Sequence, residues 1–161
     1  MAEFARPAAF GETPASGGTD GVAMSDAEID DFLSEQGTGV LSLTSRGDAY
    51  AIPESFGYDE GTLYFLLADH DDSRKMAYLE RTTTVCFVAY ELSSVDDWAS
   101  VVVRGELTPT PDDAHETAAA ALASNAVIPG NGMFGHSADE PSFEWYELDP
   151  TERSGLRAPD R

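Results

Sequence analysis

Six segments of this chain have the hydrophobic and polar pattern of strands, and three carry helical spacing. Ordered structure is predicted to begin at Ser25, where Ser25-Asp26-Ala27-Glu28 forms a capping box ahead of a helix presenting Ile29, Phe32 and Leu33 on one face and ending at Gly37. Strands are predicted at Thr38–Thr44, Asp48–Ser55, Thr62–Leu67, Thr83–Glu91, Ala99–Thr108 and Ser142–Leu148. Ser45-Arg46-Gly47 and Asp59-Glu60-Gly61 supply turn chemistry between them. Two further helices are predicted, at about Asp72–Arg81 and from Pro111 through an alanine-rich run to Ser124. Strands outnumber helices and follow one another through short loops, which predicts an antiparallel barrel rather than a parallel α/β sheet.

Residues 1–24 are rich in Gly, Ala, Pro, Ser and Thr without periodicity, and read as a disordered tail ahead of one domain over residues 25–161. Neither a secretory nor a twin-arginine signal has its required pieces, so a cytoplasmic location is expected. No apolar run approaches the roughly 20 residues that span a bilayer. Residues 125–141 hold three glycines and two prolines, the composition of a binding loop or lid.

Charge changes the picture most. Thirty acidic residues against nine basic ones leave a formal net charge of −21, a surface that repels phosphate backbones and anionic lipid. Nucleic acid and membranes are therefore excluded as expected partners. Lys75 is the only lysine, and such a balance reads as adaptation to a high-salt cytosol, with an acidic mesophilic protein as the alternative. Cys86 is the only cysteine and sits in an apolar run, which reads as a buried, inert thiol.

Three segments are candidates for chemistry. In Asp48–Tyr58 the alternation places Tyr50, Ile52, Glu54, Phe56 and Tyr58 on one face and Ala51, Pro53, Ser55 and Gly57 on the other. The small face either admits a flat ring close to the backbone or packs beneath a helix, and Pro53 marks an edge or a bulge. In Ala68–Lys75, Asp72 or Ser73 caps a helix at whose start Arg74 and Lys75 supply two cations, either for an anion or as counter-charges to the preceding acids. In Trp98–Leu107, Ser100 offers a hydrogen bond to a ligand, Trp98 a stacking surface or a core side chain, and Gly105 a bulge or close approach. His70, His115 and His136 match no metal signature, no GxSxG elbow accompanies the serines, and neither GxGxxG nor a P-loop occurs.

In this order the motifs resemble the pyridoxamine 5′-phosphate oxidase-like FMN-binding split barrels, in particular their nitroimidazole-resistance-type branch. The pieces that carry the likeness are Gly39-Val40-Leu41-Ser42-Leu43, Tyr50-Ala51-Ile52-Pro53 with Phe56-Gly57-Tyr58, Thr62-Leu63-Tyr64-Phe65, Ser73-Arg74-Lys75, Val85-Cys86-Phe87 and Trp98–Gly105, over about residues 25–157. The resemblance implies a mainly β fold, a six-stranded antiparallel split β-barrel of Greek-key character, forming a homodimer with one FMN per interface. It places the FMN phosphate on Ser73, Arg74 and Lys75 and the isoalloxazine along Pro53, Ser55 and Phe56, with Ser100 as a further ligand; it names no catalytic residue and no metal. The implied function is an oxidoreductase moving electrons from a nicotinamide cofactor to a small acceptor. Alternatives are an F420-dependent reductase and a non-enzymatic flavin- or haem-binding module. The short chain and its few basic residues argue against pyridoxal phosphate synthesis.

Overall fold

The fold is that of a computed structural model, which describes residues 21–69, 73–125 and 142–159. The first of these already belong to the sheet: Val22–Ala23 (β1) pairs with Arg157 and Leu156, so the fold begins ahead of the expected Ser25. The tail reading otherwise concerns residues 1–20, and the loop reading residues 126–141, both outside the described residues. The capping box forms as predicted. Glu28 N–H donates to Ser25 Oγ at 3.3 Å while Ser25 N–H donates to Glu28 Oε2 at 2.7 Å, opening helix α1 (Asp26–Glu35). Ile29 and Leu33 are buried on its inner face.

Strands β2 (Thr38–Ser45) and β3 (Asp48–Ser55) form a hairpin whose loop residues Arg46 and Gly47 both take positive φ, the twist that lets a two-residue turn join antiparallel strands. The chain then bends at Phe56 and continues as β4 (Gly57–Asp59), which turns through Glu60-Gly61 into β5 (Thr62–Asp69). Helix α2 (Arg74–Leu79), β6 (Val85–Ser94), β7 (Asp97–Pro109), a short 3-10 helix (Asp112–Ala114), α3 (His115–Asn125) and β8 (Ser142–Arg157) complete the order. All pairings are antiparallel, in the order β3-β2-β6-β7-β8-β5-β4, with β1 added to β8.

The two ends of this sheet are β3 and β4, and they are one bent strand: Asp48–Ser55 pairs with β2, Gly57–Asp59 with β5. The bend closes the sheet on itself into a split barrel. Phe56 sits at the corner, fully buried with its ring centroid 4.9 Å from that of Phe87 and 6.4 Å from that of Phe65. Edge-to-face packing in this trio adds about 0.5–1.5 kcal/mol per pair to the burial itself. Leu41, Leu43, Leu63, Leu67, Val101, Val103 and Leu148 fill the remaining interior.

Eight strands stand where six were predicted. β1 and β4 are too short for alternation to register, and β8 runs nine residues past the expected end at Leu148. Its second half escapes a polarity reading because Asp149–Ser154 is polar and includes Pro150. Pro150 stands opposite Gly105, where the β7 ladder shifts register. A Cβ on Gly105 would lie 2.1 Å from the Asp149 carbonyl oxygen, so the bulge and the close approach expected there are both present. On the other side, α3 lies against β4: a Cβ on Gly57 would meet the Leu122 backbone nitrogen at 2.4 Å. Asn125 ties the end of this helix to the fold by accepting from Tyr58 N–H at 3.1 Å and donating to the Gln36 carbonyl at 2.7 Å.

Candidate functional site

Across β3, β2, β6, β7 and β8 the register lines up two rows of side chains on the outer face of the barrel wall: Pro53–Val40–Val88–Val102–Ser154 and Ala51–Ser42–Cys86–Arg104–Glu152. The next positions continue this face with Tyr90, Ser100 and Leu156, then Leu92 and Trp98. From Thr38 to Thr44, Ala49 to Ser55, Cys86 to Leu92 and Trp98 to Arg104, no outward-facing position is acidic, in a chain with 30 acidic residues. Tyr90, Leu92 and Leu156 are exposed by 59%, 71% and 48%. Among the described residues, the only charges on this face are Arg104 and its partner Glu152, 3.9 Å apart at one end of it, and a mainly apolar and neutral face is unusual on so acidic a molecule.

The other face of β3 meets α2. Ser73 caps that helix by accepting the Met76 N–H at 3.3 Å, which decides between the two expected caps, Asp72 lying outside the described residues. Arg74 lies over the Tyr50 and Tyr78 rings, its guanidinium carbon 5.4 and 5.6 Å from their centroids, with Asp48 at 4.0 Å and two thirds of its side chain exposed. The Tyr78 hydroxyl, which donates to Asp48, holds the Arg74 guanidinium pKa above its ordinary value. Lys75 points the other way: its Nζ lies 2.8 Å from Glu54 Oε1, with only 15% and 16% of the two side chains exposed.

The expected site residues thus divide into three groups. Ala51, Pro53 and Ser55 face outward along β3, the first two exposed and Ser55 half-buried. Ser73 and Arg74 stand on the opposite side of the same strand. The two groups meet only along the outer edge of β3, which among the described residues no strand pairs with, and where Pro53 offers no N–H. Phe56 and Ser100 fall outside that edge. The Phe56 side chain is core, because the alternation that exposes Pro53 turns it inward. Ser100 shares the outer face but lies three strand spacings from β3, about 14 Å. Lys75 belongs to an internal ion pair rather than to an open anion site. Along the small face, Gly57 packs beneath α3, whereas Ala51 and Pro53 stay open. Cys86 is half-buried on the outer face rather than in the core.

A cavity of about 790 Å³ at the far end of the barrel had no sequence signal; it is lined by Asp30, Tyr58, Glu60, Asp149 and Arg153 among others. Arg153 donates to Asp30 at 2.5 Å and to the Tyr58 hydroxyl at 3.0 Å, and Tyr58 donates to Asp30. Burial, then the Asp30 carboxylate, pushes the Tyr58 phenol up to about 12, while the Tyr58 hydrogen bond holds Asp30 below the usual carboxylate range. Among the described residues no group of three side chains is arranged to hold a metal ion. His115, the one described histidine, contacts the Thr110 carbonyl at 3.0 Å. No described helix is long and apolar enough to cross a membrane.

The same fold recurs in solved structures. An FAD-binding protein from Mesorhizobium loti superposes with a TM-score of 0.68 at 18% identity, covering 86% of this chain and 99% of the other. A Bacteroides thetaiotaomicron protein named for 5-nitroimidazole antibiotic resistance gives 0.61 at 17% identity over 96% and 100% of the two chains. An FAD- and haem-binding protein from Mycobacterium smegmatis gives 0.61 at 20% over 85% and 74%. At these identities the likeness carries the fold alone. No curated protein matches the sequence. The family model described as pyridoxamine 5′-phosphate oxidase matches residues 25–157. That match runs from the cap of α1 to the last residue of β8, through every motif that pointed to the family, and the chain belongs to the pyridoxamine 5′-phosphate oxidase-like family.

Proposed function

We propose that this protein is a flavin-binding homodimer, with FMN as the cofactor, and that it acts as a cytoplasmic oxidoreductase taking electrons from a nicotinamide cofactor and passing them to a small acceptor. The observation that carries the reading is the open edge of β3, flanked on one side by outward-facing Ala51 and Pro53 and on the other by the exposed Arg74. A flat ring needs a surface without bulk, which Ala51 and Pro53 offer, and a terminal phosphate needs a cation, which Arg74 offers with the Ser73 hydroxyl beside it. A single exposed guanidinium suits the monophosphate of FMN. The names of two structural relatives keep FAD in view, and F420 remains the alternative carrier. When bound, a flavin supplies hydride and single-electron chemistry; the residues of the chain bind it, orient it and exclude water from it.

The distribution of charge fits the proposed dimer. Two chains of −21 repel one another least where no carboxylate stands, and the outward positions of Thr38–Thr44, Ala49–Ser55, Cys86–Leu92 and Trp98–Arg104 form such a place. Ser100 would then serve the site across that interface rather than within one chain.

The test is the chromophore that accompanies the protein through purification in molar salt, identified by mass spectrometry and then mixed with NADH or NADPH in a stopped-flow instrument. The expected result is FMN that either donor reduces. Haem, or F420 in place of FMN, would overturn the cofactor assignment, and bound FMN that neither donor reduces would favour the binding-module alternative.

A further inference from the structure

Arg74 and Lys75 are adjacent in sequence, yet the fold gives them opposite fates. Arg74 keeps two thirds of its side chain in solvent and, among the described residues, has one loose carboxylate neighbour at 4.0 Å, whereas the sole lysine of the chain is drawn to Glu54 at 2.8 Å and largely covered. A largely covered pair of this kind is costly to break, because each ion released without its partner leaves the other uncompensated. Glu54 reaches Lys75 because it lies on the inward-facing side of β3, next to α2, and among the described residues no other carboxylate forms an ion pair with Lys75. We infer that Glu54 is a built-in competitor for the anion site: it holds Lys75 away from the flavin phosphate, so that the phosphate is gripped by Arg74 alone and flavin affinity is set below what two cations would give. This rests on the proposed flavin site, but on a different residue from the one that carries it.

The experiment compares the affinities of FMN and riboflavin for the full chain, because their ratio isolates the phosphate from the ring and from general damage to the fold. Lys75→Ala is expected to leave the ratio within about 2-fold of wild type, whereas Glu54→Gln, which frees Lys75, is expected to raise it by about 3- to 10-fold. That gain should vanish in the Glu54→Gln/Lys75→Ala double variant, whose two charges are removed together. A ratio that falls about 10-fold or more in Lys75→Ala, or that does not rise in a folded Glu54→Gln, overturns the inference. Should Glu54→Gln fail to fold, the Lys75→Ala and double-variant ratios decide alone. Arg74→Ala reports separately on the underlying site, with an expected fall of about 10- to 100-fold. If that fall occurs and Glu54→Gln changes nothing, the flavin site stands and the competitor role of Glu54 does not. If Arg74→Ala leaves the ratio unchanged as well, both fall.

Discussion

The inner and outer faces of β2, β6 and β7 are drawn from alternate residues of the same strands and answer to different demands. Leu41, Leu43, Phe87, Val101 and Val103 point inward and are sealed from solvent, while Val40, Ser42, Cys86, Val88 and Val102 point outward and remain half-exposed. Apolarity alone does not separate the two sets. What separates them is that the inner set has found its cover within the chain and the outer set has not, although the rest of the surface is crowded with carboxylates. On a molecule of −21, a face whose only charges among the described residues are the Arg104–Glu152 pair is where the proposed dimer would find its interface.

Salt gives the bluntest way to break this contrast, because it acts on the whole molecule. The net charge is expected to unfold the protein in dilute buffer and to be tolerated near molar salt, where the Debye length shrinks to about 3 Å. Circular dichroism after low-salt dialysis checks this, and an unchanged melting point would refute it. Neighbouring substitutions sharpen the contrast within one strand. Leu41→Ala should cost about 2–5 kcal/mol of stability by opening a cavity in a sealed core. Val40→Ala, one residue away on the uncovered face, should cost less than about 1 kcal/mol, measured by denaturant titration of the dilute monomer. Equal costs would mean that the two faces are not distinct.

The smallest effect concerns the far end of the barrel, where Tyr58 links α1 to β8. Its phenol is raised from 10.0 to about 12, so the folded state holds that proton more tightly than the unfolded chain does. The associated stability is complete below pH 10 and lost as pH rises towards 12. Tyr58→Phe should flatten that alkaline loss in part, since Tyr146, also pushed up to about 12 by burial, and Tyr64, raised by burial too, still contribute. On the acid side the sign reverses. Asp30 is depressed, so its contribution is present above the ordinary carboxylate range and fades as pH falls through its lowered value, and Tyr58→Phe should weaken that dependence too. Melting temperatures across pH for the two proteins decide both points.

Much of this fold was legible because its local signals agreed. The capping box at Ser25 and Glu28, the turns at Arg46-Gly47 and Glu60-Gly61, and the alternation in β2, β3, β6 and β7 each pointed to the same barrel. The second half of β8 was not legible, since Asp149–Ser154 carries almost no apolar residue and is held as a strand by the β7 ladder. For Phe56 the alternation itself placed the ring with Tyr50 and Ile52, and family likeness drew it towards the cofactor; packing follows the alternation. Cys86 reads as buried because β6 is apolar on both faces, and the register instead puts it on the outer one. Nothing local shows that Lys75 will meet Glu54, which stands 21 residues earlier on another element.

Light scattering coupled to visible flavin absorbance, over a dilution series in molar salt, tests the shared-interface account most directly. It predicts a dimer that loses flavin and partner together as it is diluted, and a Val88→Glu variant that stays folded but elutes as a flavin-free monomer, since a carboxylate buried at that interface would be uncompensated. A wild-type monomer that retains stoichiometric flavin, or a Val88→Glu protein that remains a flavin-loaded dimer, would contradict it.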